Sequence, residues 1–222
     1  TLIMALLNTP GINVNAKNPD EQTPLHIFCS NYSNVQSYKA ILEKFHALGA
    51  ELDCKNRKKE TPLMKCIKNS SLRGLIAQFL IDHHADVNTR NDTHSTPLHF
   101  VVLMNRVDLV MIFVKGGADI YCENLSGDSP MSLAKKQGNF AVLAKLNQAH
   151  NLYQWLRQTD EAFLELYYRK FLAQELHPVL LKSFTAKELD EVLEYISDNP
   201  SHIPVLRDSL RAFEVIPDEV GR

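Results

Sequence analysis

Two short patterns recur in step along this chain, and together they constrain its fold more than any other feature. The first is a hydroxyl residue before proline: Thr23-Pro24, Thr61-Pro62, Thr96-Pro97 and Ser129-Pro130. The hydroxyl residues are spaced 38, 35 and 33 residues apart. The second precedes it each time: GINVNAKN (11–18), GAELDCKN (49–56), HADVNTRN (84–91) and GADIYCEN (117–124). Two markers that keep phase through four cycles define a repeated structural unit, and such a unit decides the architecture before any single residue does.

Each cycle can be read physically. Thr or Ser before Pro starts a helix, because the hydroxyl caps an open backbone N–H and Pro at the first helical position has no N–H to lose. A short apolar helix follows, such as PLHFVVLM (97–104), then a polar break, then a second helix with an apolar face, such as DLVMIFVKG (108–116). Gly116-Gly117 ends that helix, and ADIYCENLSGD (118–128) turns back to the next start. One unit is too small to bury its own apolar face, so units must stack.

The residues TPLH (23–26 and 96–99), TPLM (61–64), SPMSLA (129–134) and the GADVN-like ends resemble the ankyrin-repeat family. The resemblance covers residues 1–148: the tail of one repeat (1–17), then four further repeats. It implies helix pairs with β-turn fingers, all-α apart from those turns, arranged as a solenoid that binds other proteins on its concave side. The family usually places Gly two residues before the Thr; Glu21, Lys59 and His94 stand there instead, and Gly127 alone conforms. A side chain in a left-handed turn costs roughly 1 kcal/mol, so the first three fingers are expected to be less regular. Insertions are expected around Tyr32–Tyr38 or Phe45–Leu48, and near Ser71–Gly74.

Little here suggests catalysis. His26 and His99 hold the fourth place of T-P-L-H and read as histidines that hydrogen-bond between turns. His26 with Cys29 lacks an orienting acid or an oxyanion motif. The adjacent His83-His84 diverge on a helix and read as a surface helix end. No phosphate-binding, nucleophile-elbow or zinc-protease signature occurs, so no catalytic, cofactor or metal residue is assigned.

By resemblance, the finger tips and the ends of the first helices face the concave side. The tips are Pro19-Asp20, Arg57-Lys58, Asp92-Thr93 and Leu125-Ser126; the helix ends are Ser30-Asn31, Lys68-Asn69, Leu103-Met104 and Lys136-Gln137. Leu103 and Met104 fall where most repeats are polar, and Leu125 on the following finger would join them in a small apolar patch. That patch reads as a partner site, or as a place covered by another segment of the same chain. A basic run, Lys55, Arg57, Lys58, Lys59, Lys65 and Lys68, lies on or beside one finger. It reads as a solvated face, or as a surface for an acidic peptide or, more weakly, phospholipid headgroups. The expected partner-binding set is Leu103, Met104, Leu125, Asp92, Arg57, Lys58, Lys59 and Lys68.

The period fails after residue 150 and the charge changes with it. Residues 1–150 hold 16 basic against 13 acidic residues, and 151–222 hold 8 against 13. The stretch 151–176 has helical periodicity, His177-Pro178 interrupts it, Thr185 with Glu188 makes a capping box, and a last helix is expected from about Pro204. Trp155-Leu156, Tyr167 with Phe171, Leu180-Leu181, FTAKELDEVL (184–193) and His202 resemble a sterile alpha motif (SAM) domain over 151–215. That resemblance implies a five-helix bundle and self-association, with Arg207 and Arg211 as end-helix contacts and Glu188, Asp190 and Glu191 as the middle surface. Glu194-Tyr195 replace the family's usual Gly, and a plain helical cap on the last repeat is the alternative.

Four dispersed cysteines without a C-x-x-C pair suggest reduced thiols in the cytoplasm. The chain opens at Thr1 inside a repeat and reads as a fragment of something longer. A net charge of −2 without interleaved aromatics in the basic run argues against nucleic acid, and no apolar run reaches membrane-spanning length. The expected domains are repeats over 1–148 and a helical domain over 151–222. The expected function is a non-catalytic protein-interaction module. The alternatives are a regulatory or targeting segment of a larger enzyme or effector, and a scaffold that oligomerises through its tail.

Overall fold

In a computed structural model, residues 2–32, 34, 36–67 and 72–213 are described. They form helices with no strand among the described residues, and they divide into two compact units at Asn139/Phe140.

The first unit contains α1 (Leu2–Leu7), α2 (Pro24–Asn31), α3 (Tyr38–Ala47), α4 (Pro62–Cys66), α5 (Leu72–Asp82), α6 (Pro97–Leu103), α7 (Val107–Lys115) and α8 (Pro130–Gln137). Thr23, Thr61, Thr96 and Ser129 each stand in extended backbone directly before α2, α4, α6 and α8, with Pro at the first helical position. These first helices pack in sequence, α2 on α4, α4 on α6 and α6 on α8. The second helices make a parallel row, α1 on α3, α3 on α5 and α5 on α7. The core is the seam between the rows, where Leu25, Ile41, Leu63, Ile76, Leu98, Leu109 and Phe113 are fully buried. These apolar residues recur once per unit because no unit closes over its own face.

The loop from α2 to α3 has six residues, 32–37, where the loop from α6 to α7 has three, 104–106, which places the first insertion at 32–37. The second lies partly outside the described residues, and Gly74 is already inside α5.

The expectation of irregular early fingers is overturned. Glu21, Lys59 and His94 adopt φ of 60°, 54° and 57°, in the same left-handed region as Gly127 at 73°. The four turns close with matching bonds: the N–H groups of Glu21, Lys59, His94 and Gly127 donate to the carbonyls of Asn18, Asn56, Asn91 and Asn124 at 2.8, 2.8, 3.1 and 3.0 Å. The reason is the asparagine that ends each GxxxxxxN-type marker. Its Oδ1 accepts two backbone N–H groups, those of Asp20 and Gln22, Lys58 and Glu60, Thr93 and Ser95, or Ser126 and Asp128. Two side-chain bonds per finger outweigh a left-handed strain of roughly 1 kcal/mol.

The second unit contains α9 (Phe140–Thr159), α10 (Glu161–Ala173), α11 (Pro178–Leu181), α12 (Ala186–Ile196) and α13 (His202–Ala212). The helix α9 runs without a break across residues 148–151, where the sequence periodicity changes. The single helical stretch expected over 151–176 is two helices: Asp160 takes extended backbone, accepts the Ala162 N–H at 2.8 Å and caps α10. The capping box at Thr185 and Glu188 starts α12 as expected, and α13 begins at His202, two residues before Pro204. Trp155, Leu156, Phe171, Leu181, Leu193 and Leu206 form the core of this unit. The Trp155 indole N–H donates to Ser209 Oγ at 3.0 Å, which satisfies a buried donor that would otherwise cost stability.

Candidate functional site

The fingers present their side chains on a hydrogen-bonded backbone. The Arg57 N–H donates to the Asp20 carbonyl at 3.1 Å, the Asp92 N–H to the Lys58 carbonyl at 3.2 Å, and the Leu125 N–H to the Thr93 carbonyl at 3.0 Å. Each tip is thereby tied to the one before it, while the side chains of Arg57, Lys58, Lys59, Asp92 and Leu125 stay exposed. Holding the backbone in place lowers the ordering entropy that a partner must overcome.

Leu103 and Met104 close α6. Pro97, Leu98, His99, Val101 and Val102 are buried, and the helix ends as the chain leaves that face. Leu103 is 42% exposed, Met104 46% and Leu125 66%. The α6 end is fixed from outside: Asn139 Nδ2 donates to the Val102 carbonyl at 2.9 Å, and the Arg106 N–H donates to the Val101 carbonyl at 2.9 Å. Among the expected partner residues, Lys68 lies outside the described ones.

Lys65 does not belong to the basic surface. It pairs with Glu60, and both side chains are nearly buried. Two residues outside the basic run, Lys17 and Arg90, lie along the same face as Lys55. Lys17 Nζ reaches the Lys55 carbonyl at 3.5 Å, and Lys55 Nζ reaches the Arg90 carbonyl at 3.3 Å. Lys17, Lys55 and Arg90 are exposed and each precedes the finger asparagine, so three successive markers carry a positive charge there, and the fourth carries Glu123. The signal was present in the marker itself, as the seventh residue of GINVNAKN, GAELDCKN and HADVNTRN.

The histidines have structural roles. His26 Nδ1 accepts the Thr23 N–H at 3.1 Å and its Nε2 meets the Glu60 carbonyl at 3.0 Å; His99 does the same with Thr96 at 3.1 Å and Asp128 at 2.8 Å. That pattern requires the neutral ring with its proton on Nε2. Burial holds both rings below the usual imidazole range. His83 stacks on Phe79 at 3.9 Å just beyond α5, and exposed His84 takes a left-handed turn at the helix end. The Cys54 thiol is pushed up to about 11 by burial and by the Glu51 carboxylate it contacts; burial raises Cys122 as well. Such thiols are poor nucleophiles at neutral pH. Among the described residues no group of three or more metal-ligating side chains converges, and no helix is long and apolar enough to cross a membrane.

In the second unit, two of the residues expected to mediate self-association are engaged with each other: Arg207 pairs with Asp190 at 2.5 Å. Arg211 pairs loosely with Asp208, and Glu188 caps Thr185.

The family described as Ankyrin repeats (3 copies) matches residues 1–91 and again 34–124. A probable serine/threonine-protein kinase of Dictyostelium discoideum is 34% identical over 86% of this chain and 22% of its own length. The stress-activated protein kinase alpha of the same organism is 31% identical over 79% of this chain and 27% of its own length. The human neurogenic locus notch homolog protein 1 is 31% identical over 51% of this chain and 4% of its own length. The chain therefore spans about a quarter or less of the length of these curated relatives.

Proposed function

The chain belongs to the ankyrin-repeat family, and on that premise we propose that it is a non-catalytic protein-binding module whose partner docks on the concave face of its repeats. Leu103, Met104 and Leu125 supply the apolar anchors. Arg57, Lys58 and Lys59, with Lys17, Lys55 and Arg90, steer an acidic partner toward them, and Asp92 borders the site. The observation that carries this reading is the exposure of three large apolar side chains, Leu103, Met104 and Leu125, on backbone fixed by inter-repeat hydrogen bonds. Rigid apolar anchors are what partner sites use for affinity, and charge at the rim mainly raises the association rate. A photo-crosslinking residue at position 125 tests it: it captures the partner, whereas the same residue at exposed Glu43 on α3 does not. Equal capture from both positions contradicts the reading.

A second reading is favoured by the kinase relatives. A match over 86% of 222 residues spans about 191 positions and so includes much of the second unit as well as the repeats. We propose that this combination is a targeting or regulatory segment of a larger protein, with any catalysis carried outside residues 1–222. The five-helix order of the second unit, and its Trp155, Tyr167 and Phe171 core, support the sterile alpha motif resemblance and with it a capacity to self-associate. The Arg207–Asp190 pair would first have to open for those two residues to contribute. Light scattering on the chain tests this: a mass that stays monomeric at high concentration counts against self-association. We propose a reducing, cytoplasmic setting from the dispersed spacing of the four cysteines in the sequence.

A further inference from the structure

The ties that join neighbouring repeats are not equal along the first unit. Several of them are weakened at one seam, between the repeat of α4 and α5 and the repeat of α6 and α7. From the geometry we propose that this seam is a hinge: it opens on the side of the first helices and the fingers, and it pivots on α5 against α7.

The imidazole bridge is the first tie lost. His26 Nε2 meets the Glu60 carbonyl of the next repeat at 3.0 Å, and His99 Nε2 meets the Asp128 carbonyl at 2.8 Å. The residue at that register of α4 is Met64, fully buried, whose thioether has no hydrogen to donate to the repeat of α6. Half of the asparagine bridge is missing at the same seam. Asn15 and Asn88 each donate to a backbone carbonyl of the next repeat and accept an N–H from it. Asp53 accepts the Asp86 N–H at 3.0 Å and, ionised, donates nothing. Packing follows the same pattern. The helix α4 has five residues, against eight in α2, seven in α6 and eight in α8, and it packs broadly on α2 but narrowly on α6. The stability of stacked repeats is a sum over units and their nearest-neighbour interfaces, so the seam with the weakest ties opens first.

The second row keeps its ties. The helix α5 packs on α7 as α3 packs on α5. Gly74 lets Leu109 close on the α5 backbone, since a Cβ there would stand 3.1 Å from Leu109 Cδ2. Arg106 Nη1 donates to the Ile67 carbonyl at 3.2 Å, at the register where Asn139 holds Val102 one seam further on. A joint held along one edge and loose along the other moves as a hinge. At the loose edge the Asp92 N–H still donates to the Lys58 carbonyl at 3.2 Å, and this bond reports the opening. One consequence rests on the docking reading given above. Arg57, Lys58 and Lys59 lie on one side of the seam and Leu103, Met104 and Leu125 on the other, so opening changes the distance between the charged rim and the apolar anchors.

Amide hydrogen exchange of the whole chain, read residue by residue by NMR, tests the hinge. Each finger tip donates one N–H across one seam, from Arg57, Asp92 and Leu125 in turn. Corrected for intrinsic rates, the Asp92 amide is expected to exchange roughly tenfold or more faster than those of Arg57 and Leu125. Asp53→Asn slows exchange at Asp92 and leaves the other two tips unchanged, and adding Met64→His brings Asp92 to the rate of its neighbours. His99→Met speeds exchange at Leu125, moving the loose seam one repeat on. Should the imidazole at position 64 prevent folding, Asp53→Asn alone decides. Exchange at Asp92 equal to or slower than at the other tips overturns the proposal, and so does an Asp53→Asn effect spread evenly over all three. The measurement uses the free chain, so its failure leaves the docking reading standing, and a failed docking test leaves the hinge.

Discussion

The imidazole of His26 bridges two repeats: its Nδ1 accepts the Thr23 N–H at 3.1 Å and its Nε2 donates to the Glu60 carbonyl, 34 residues on, at 3.0 Å. His99 repeats the bridge to Asp128. A residue type that suggests chemistry thus serves as a joint between repeats.

Both rings are neutral in the fold, and burial lowers their pKa below the ordinary 6.5. Between that value and the depressed one, the unfolded chain binds more protons than the folded chain, so stability rises with pH across the window. Stability is complete above about pH 6.5 and falls as the pH drops below it. Urea midpoints between pH 7.5 and 5 should decline, and replacing both with Gln should flatten the decline over this range. An unchanged slope in that double variant refutes the assignment.

Asp53 occupies a place where two other repeats use asparagine. Asn15 donates to the Gly49 carbonyl and accepts the Glu51 N–H; Asn88 donates to the Gly117 carbonyl and accepts the Asp119 N–H. Asp53 accepts the Asp86 N–H, but an ionised carboxylate has nothing to donate. Burial raises its pKa, so its ionisation at neutral pH works against the fold. Asp53→Asn restores a donor toward the His84 carbonyl and should stabilise by about 1 kcal/mol. Asn88→Asp should cost a similar amount, and thermal unfolding of the two variants checks both signs.

The finger asparagines offset the left-handed strain at Glu21, Lys59 and His94. His94→Gly removes that strain and should raise stability by about 1 kcal/mol, the amount a side chain costs at positive φ. Asn91→Ala leaves the Thr93 and Ser95 N–H groups without their acceptor and should cost about 1–3 kcal/mol. Denaturant midpoints that move the other way would show that the turn is held by something else.

In the second unit, the Tyr167 hydroxyl joins Ser197 Oγ at 2.9 Å and His202 Nδ1 at 2.7 Å, tying α10 to the turn before α13. Tyr167→Phe should cost about 1–3 kcal/mol, because buried Ser197 and half-buried His202 each lose a partner. Chemical unfolding of the full chain, followed by Trp155 fluorescence, reports on this unit.

The repeats were legible because their caps, prolines and turn residues are local signals that recur in phase. The fingers were misjudged because Gly at one position was weighed without Asn18, Asn56, Asn91 and Asn124 three residues earlier, although those asparagines closed every marker. Asp160 was missed as a cap because the apolar spacing continues on both sides of it and hides the break. Leu103, Met104 and Leu125 could be picked out as apolar where polar residues were expected, and all three are exposed. The basic run was less readable: Lys65 turns inward to Glu60, and Lys17 and Arg90 join Lys55 through the stacking of repeats 35 to 38 residues apart, which a linear run cannot show.

The most direct measurement of the binding account is affinity capture from cell extract with wild-type chain and with Leu103→Asp combined with Met104→Asp, alongside circular dichroism of both. The account predicts an unchanged helical spectrum and loss of the captured partner, since both side chains are exposed at the end of α6. Retention of the same partner by the well-folded double variant contradicts it.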